Sequence, residues 1–174
     1  MRTALAWVGL TVFGFLVVGT VLHFPGSLDD QGPLAPSGLM FGTVTGLLIG
    51  AIQLPALRGR LTRPWLWPLA MAGGLAITHG LGDGGNYASG WVPVGVLGGI
   101  AAGALQALVL RQPWWGVLTA LAFALAIPGG EALGDAASRH VIVSAATGLL
   151  YALATVPLLA RTPARAQLLR RTAS

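Results

Sequence analysis

Cysteine is absent from this sequence, which excludes disulfide frameworks, thiolate-bound zinc, iron–sulfur clusters and thiol catalysis. Lysine is absent as well. All ten basic residues are arginine, and no phosphate-cradling Gly-x4-Gly-Lys loop can be formed. Charge is scarce: 9% of residues are charged, against about 25% in an average soluble domain. That scarcity argues against a water-soluble globule, and the abundance of apolar residues excludes intrinsic disorder. Also missing is the alternation of apolar and polar residues, over about ten positions, that marks a transmembrane β-strand. What is present is a chain of 174 residues, 55% of them hydrophobic, with a mean hydropathy of +0.76. These values define an all-α integral membrane protein.

A membrane-crossing helix needs about 20 mainly apolar residues. Six segments qualify: Thr3–His23, Gly38–Leu57, Pro64–Leu81, Trp91–Leu110, Pro113–Ile127 and Val141–Ala160. The fifth is the shortest and can extend through Pro128, Gly129 and Gly130. The first has one n-region charge, Arg2, a long apolar run and no Ala-x-Ala-like site, so it reads as a retained helix and not a signal peptide. The connections Arg58–Arg63 and Arg111–Pro113, the tail from Arg161, and Arg2 hold nine of the ten arginines. The connections 24–37, 82–90 and 128–140 hold all five acids and Arg139. Arginine favours the cytoplasmic side, so both termini are expected there, in agreement with an even number of spans. The net charge of +5 is thus a topology signal and not a sign of nucleic-acid binding. The basic tail, residues 161–174, would touch anionic lipid heads.

Shifting the chain by 53 residues lays Leu28–Arg58 on Leu81–Arg111 without a gap, with 11 of 31 positions identical. The shared pattern is Gly-x3-Gly-x3-Gly-x2-Gln-x3-Leu-Arg. A weaker third copy keeps Ser144, Gly148 and Ala152, has Thr155 for the glutamine, and matches Pro157 to Pro55. Trp7, Trp67 and Trp115 echo one another near the starts of the odd helices. The expectation is a single six-helix domain, residues 1–160, of three tandem helical hairpins (about 3–57, 64–110 and 113–160) in a pseudo-threefold bundle. Gly42, Gly46 and Gly50 form one helical stripe, and Gly95, Gly99 and Gly103 another. Small residues at this spacing let membrane helices approach closely, so the even helices are expected to pack through these stripes. A glycine-lined conduit or a flat ligand groove is the other reading.

Few polar residues interrupt the apolar spans. Gln53 and Gln106 lie within the apolar length, where an unpaired amide costs several kcal/mol. They read either as hydrogen bonds across a helix interface or as a substrate contact at a polar constriction. Arg58 and Arg111 suit helix C-termini. His79 and Glu131 each stand four residues before an aspartate, Asp83 or Asp135. If the helices continue, each pair shares a face, with His23 and His140 at similar depth. Carboxylates with imidazole can hold Zn²⁺ or relay protons, and they can equally be ordinary loop polarity and caps. Gly80, Gly82, Gly129 and Gly130 count against helix continuity. The Gly-rich 82–86 stretch lacks the spacing of a calcium loop. The tryptophans cluster at expected membrane boundaries, where indoles anchor. No Gly-x-Ser-x-Gly or His-Glu-x-x-His motif occurs, so no enzyme is expected; the residues leave any cofactor unknown.

The repeated Gly-x3-Gly-x2-Gln-x3-Leu-Arg helix, at Gly46–Arg58 and Gly99–Arg111, is followed by Trp67 and by Trp114-Trp115. In this the chain resembles small multipass bacterial membrane proteins with no assigned activity. Where that family places an aromatic residue after the glutamine, this chain has Leu54 and Ala107. The resemblance implies a bacterial inner-membrane protein and carries no functional residue. The arginine-only basic set points to a GC-rich bacterial genome. The expected function is a non-enzymatic accessory or packing component of the membrane, with the bilayer and other membrane subunits as partners. The alternative is a small-solute or ion transport or binding protein that uses the Gln53/Gln106 and His79/Asp83/Glu131/Asp135 levels.

Overall fold

The structure of the protein, a computed structural model, describes residues 2–21, 36–83, 91–133 and 139–161. Six α-helices account for nearly all of them: α1 (Arg2–Val21), α2 (Pro36–Leu57), α3 (Leu66–Asp83), α4 (Trp91–Leu110), α5 (Pro113–Leu133) and α6 (Arg139–Arg161). No strand occurs among the described residues. Two helical segments, Thr3–Thr20 and Pro36–Leu57, are long and apolar enough to cross a membrane. Four shorter apolar stretches follow at Leu66–Leu81, Val94–Leu110, Pro113–Ile127 and Ser144–Leu159.

Proline marks helix starts and a left-handed arginine marks one helix end. Pro36 and Pro113 occupy first helical positions, where no N–H is needed. Pro64 precedes α3 in a turn closed by Trp67 N–H donating to the Pro64 carbonyl at 3.1 Å. Arg111 ends α4 in the left-handed region, with φ of 54°, while Gln112 N–H reaches back to the Ala107 carbonyl at 3.0 Å. This is a Schellman-type cap with arginine where glycine is usual. The glycines near the far ends do not break their helices. α3 continues through Gly80 and Gly82, and α5 runs on to Leu133 through residues 128–130.

Each helix packs chiefly on its two neighbours in chain order, and α6 closes the ring on α1. The most extensive pairs are α2–α3 and α4–α5, which are joined by the short arginine turns. A turn of a few residues leaves antiparallel helices little choice of neighbour. This corrects one expectation: the glycine stripes do not join even helices to each other. Gly42, Gly46 and Gly50 face Leu75, Met71 and Pro68 of α3. Gly95, Gly99 and Gly103 face Phe123, Ala120 and Gly116 of α5. Gly148 of α6 faces Phe15 of α1. A methyl group at Gly99 would lie 2.8 Å from both the Ala120 carbonyl oxygen and Phe123 Cβ. At Gly42 and Gly46 it would overlap α3 backbone. Glycine therefore sets the helix separation here.

The odd helices present matched side chains to the core. α1 contributes Trp7, Thr11, Phe15 and Val18; α3 contributes Trp67, Met71, Leu75 and Thr78; α5 contributes Trp115, Thr119, Phe123 and Ala126. All are buried, and the spacing of four, four and three residues is the same in each, one face of a helix. The outward surface is apolar: Leu108 is 74% exposed, Leu125 69% and Leu5 65%.

Two substitutions test which glycines matter. Gly46→Ala should lose about 2–3 kcal/mol of stability, because the new methyl meets α3 backbone that cannot rotate away. Gly9→Ala, with nothing near its Cβ position, should gain about 0.5–1 kcal/mol from helix propensity. Unfolding in mixed micelles, followed by circular dichroism, measures both.

Candidate functional site at the tryptophan triad

The centre of the bundle is built from three indoles, one from each odd helix. Ring centroids are 6.0 Å apart for Trp7 and Trp67, 5.7 Å for Trp7 and Trp115, and 5.9 Å for Trp67 and Trp115. Interplanar angles of 67–90° make every pair edge-to-face, the arrangement in which the positive edge of one ring meets the negative face of the next. All three are fully buried. The expectation that the tryptophans are boundary anchors is therefore overturned for these three. Trp65 and Trp114 are exposed, as anchors would be, and the side chain of Trp91 lies outside the described residues. Sequence position gave the same depth for anchors and triad alike. What separates them is rotation about the helix axis: Trp65 precedes Trp67 by two residues and Trp114 precedes Trp115 by one, which turns them away from the centre.

An indole N–H is a donor only, so burying it demands an acceptor. Each triad member finds one on an even helix. Trp67 Nε1 donates to Gln53 Oε1 at 2.9 Å, Trp115 Nε1 to Gln106 Oε1 at 3.0 Å, and Trp7 Nε1 to Thr155 Oγ1 at 3.0 Å. These pairings fix the amide orientations, since the nitrogen of either glutamine could not accept. Of the two readings of the glutamines, the hydrogen bond across a helix interface is the one these contacts match. Gln53 and Gln106 are fully buried, and each lies against its own indole.

Their remaining contacts differ. Gln53 Nε2 donates to Thr11 Oγ1 at 3.1 Å, tying α2 to α1 as well as to α3. Gln106 Oε1 also accepts from Thr119 Oγ1 and from Tyr151 OH, both at 2.9 Å. Three donors thus share the two lone pairs of one carbonyl. Gln106 Nε2 faces Met71 Sδ, a weak acceptor, where α1 has Thr11 at the matching position. Thr155 Oγ1 donates back to the Tyr151 carbonyl at 2.7 Å, so it is satisfied both ways. Threonine is shorter than glutamine, and Tyr151 fills the difference. Its ring lies 5.9 Å from Trp7, 6.4 Å from Phe15 and 5.8 Å from Phe123.

Thr11, Met71, Thr119 and Tyr151 are the members that sequence reasoning missed. Trp7-x3-Thr11 and Trp115-x3-Thr119 are a visible signal, but Met71 interrupts it in α3. Tyr151 had no repeat partner to draw attention to it. Among the described buried side chains, Thr45 Oγ1 lacks a partner.

The outer cluster is less complete. His79, on α3, is half-buried and sets its ring against Phe41 of α2, with centroids 4.8 Å apart at 87°. Asp83 is the last residue of α3, one turn beyond. Glu131 lies within α5, which continues where the glycines argued for a break. The side chains of Asp83, Glu131 and His140 lie outside the described set, as do Asp135 and His23 altogether. Among the described residues, no group of three or more metal-ligating side chains comes together.

Chemically, the centre is an interlocked donor–acceptor set: three indole donors, two amides and the four hydroxyls of Thr11, Thr119, Tyr151 and Thr155. No known protein family, curated protein or solved structure matches the chain.

Gln106→Ala strands the Trp115 and Tyr151 donors and leaves a cavity, and should cost about 3–5 kcal/mol. Gln53→Ala strands mainly Trp67 and should cost about 1–3 kcal/mol. Thr155→Val, nearly isosteric, should cost about 1 kcal/mol by leaving Trp7 unpaired. Equal losses in the two glutamine variants, measured by the same unfolding assay, would contradict this ordering.

Proposed function

We propose that this chain is a six-span integral membrane protein of the bacterial inner membrane, built from three tandem two-helix repeats. Its role in this reading is a non-enzymatic accessory or packing subunit. The observation that carries the proposal is the closed centre. The polar groups at the level of the triad are engaged with one another, which leaves no free amide or hydroxyl there to receive a solute. The outward face, rich in exposed leucine, is what a bilayer or a neighbouring membrane subunit would cover. The common environments of Trp7, Trp67 and Trp115, and the common spacing of the core residues beneath them, support the repeat. Arginine at the α2–α3 and α4–α5 turns supports a cytoplasmic placement for that end and for both termini.

The chain lacks cysteine, so topology can be read from introduced thiols without background. Thr62→Cys should react with membrane-impermeant maleimide only from the cytoplasmic side, and Ser89→Cys only from the outer side. Reaction of both from one side would overturn six spans. Native mass spectrometry of protein extracted from its own membrane tests the role. The accessory reading expects a second polypeptide at fixed stoichiometry, and vesicles reconstituted with the chain alone should leak small ions and solutes no faster than empty ones. A bound small molecule, together with solute flux abolished by Gln53→Ala or Gln106→Ala, would replace it with a transport role.

A further inference from the structure

Exposed arginine and exposed tryptophan coincide at one end of the bundle, across three adjacent helices. Arg63 and Trp65 precede α3, Leu108 and Arg111 end α4, and Trp114 opens α5. α3 and α5 are both neighbours of α4 in the ring, and both run antiparallel to it, so these residues share one end. Trp65 is 59% exposed, Leu108 74% and Trp114 68%, and Arg63 and Arg111 are exposed. Below them the outward columns are apolar, as with half-exposed Leu69 of α3.

The charge here is of one sign. The carboxylate nearest to Arg63 along α3 is Asp83, at the other end of a helix about 27 Å long. In the sequence, the other acids fall within 24–37 and 128–140, apart from the arginine turns at 58–63 and 111–113. Arg60, in the same turn, is spoken for: it donates to the Leu159 carbonyl at the end of α6. Arg111 holds the left-handed conformation of its cap, where a glycine would sit without strain. The chain therefore accepts a backbone penalty to keep an exposed arginine at the end of the bundle that also carries exposed Trp65 and Trp114.

We propose that this edge is a binding site for an anionic phospholipid of the phosphatidylglycerol class. The inference rests on the membrane reading above. Arg63 and Arg111 bracket the headgroup phosphate, Trp65 and Trp114 sit at the level of the ester groups, and the acyl chains lie along Leu69 and Leu108. Guanidinium recognises phosphate by paired N–H donors, indoles prefer the headgroup boundary, and the leucine columns match acyl chains. A soluble anionic partner would use the arginines but would leave the indoles and leucines unexplained.

The test uses the full chain in nanodiscs of equimolar phosphatidylglycerol and phosphatidylcholine, ejected in native mass spectrometry, with retained lipids counted by class. The wild type should retain phosphatidylglycerol in preference by several-fold, about fivefold for each contributing arginine. Arg63→Ala with Arg111→Gly should remove most of the preference, leaving only what the basic tail contributes; the glycine relaxes the cap, so folding is preserved. Arg58→Ala removes the same single charge as Arg63→Ala or Arg111→Gly taken alone, at the end of α2, and should keep the preference that those two variants lower. Equal retention of both lipids by the wild type overturns the proposal, as does an equal loss of preference in Arg58→Ala. Loss of the preference in millimolar inorganic phosphate also overturns it, because it would reveal a site for a free anion. Insertion into discs of phosphatidylcholine alone is expected in every case. Failure there would count against the membrane reading itself, whereas insertion without lipid preference would count only against this site.

Discussion

The rest of the structure depends on a donor that cannot be left alone. An indole N–H buried in a dry centre must meet an acceptor, and three indoles need three. Gln53, Gln106 and Thr155 provide them, and in doing so they fix which even helix lies beside which odd helix and at what height. A rotation or slide of any helix by one residue would break its bond to the centre. Edge-to-face stacking adds the second requirement, since each ring must hold its angle to the other two. Dispersion alone would tolerate many registers among such uniformly apolar helices. The polar pairs select one.

Glycine makes that selection possible. The Gln53 and Gln106 side chains reach indoles on the following helix only because Gly46, Gly50, Gly99 and Gly103 let the backbones close in. In the proposed membrane setting, helices gain little from burying apolar surface, since the solvent is equally apolar. Close packing and a few hydrogen bonds then carry the association. Glycine costs a helix propensity, and here it returns close backbone contact with the next helix. The pairing of α6 with α1 departs from this plan. α6 has Ala152 and Thr155 where its counterparts have glycine and glutamine, and Tyr151 moves into the space. The donor–acceptor requirement is kept while the side chains that meet it differ.

Much of the architecture was legible in the residues. Absent cysteine and lysine, scarce charge and six apolar runs gave the helices nearly to their ends, because helix length and apolar composition are local properties. Proline at position 113 placed one start, whereas α2 begins at Pro36, two residues before the expected Gly38. The 53-residue offset identified Gln53, Gln106 and the glycine stripes as equivalent, and the Trp7, Trp67 and Trp115 echo was visible. The partners of those residues were not. A stripe says which face is small, not what will press against it, and the even helices were expected on one another when they lie on α3, α5 and α1. Sequence places all the tryptophans at the boundary because depth along a helix can be counted from sequence, whereas rotation toward a centre cannot when every face is apolar.

The sequence by itself determined the all-helical class, the helical segments and the connections in which the arginines gather, since each follows from counting residues along one dimension. Tertiary structure alone decided that α6 closes on α1, that Trp7, Trp67 and Trp115 meet while Trp65 and Trp114 face outward, and that Tyr151 completes the Gln106 cluster. Those are facts of azimuth and of contacts between residues as far apart as Trp7 and Thr155. A helix that is hydrophobic all round carries no periodic signal from which its inward face can be read.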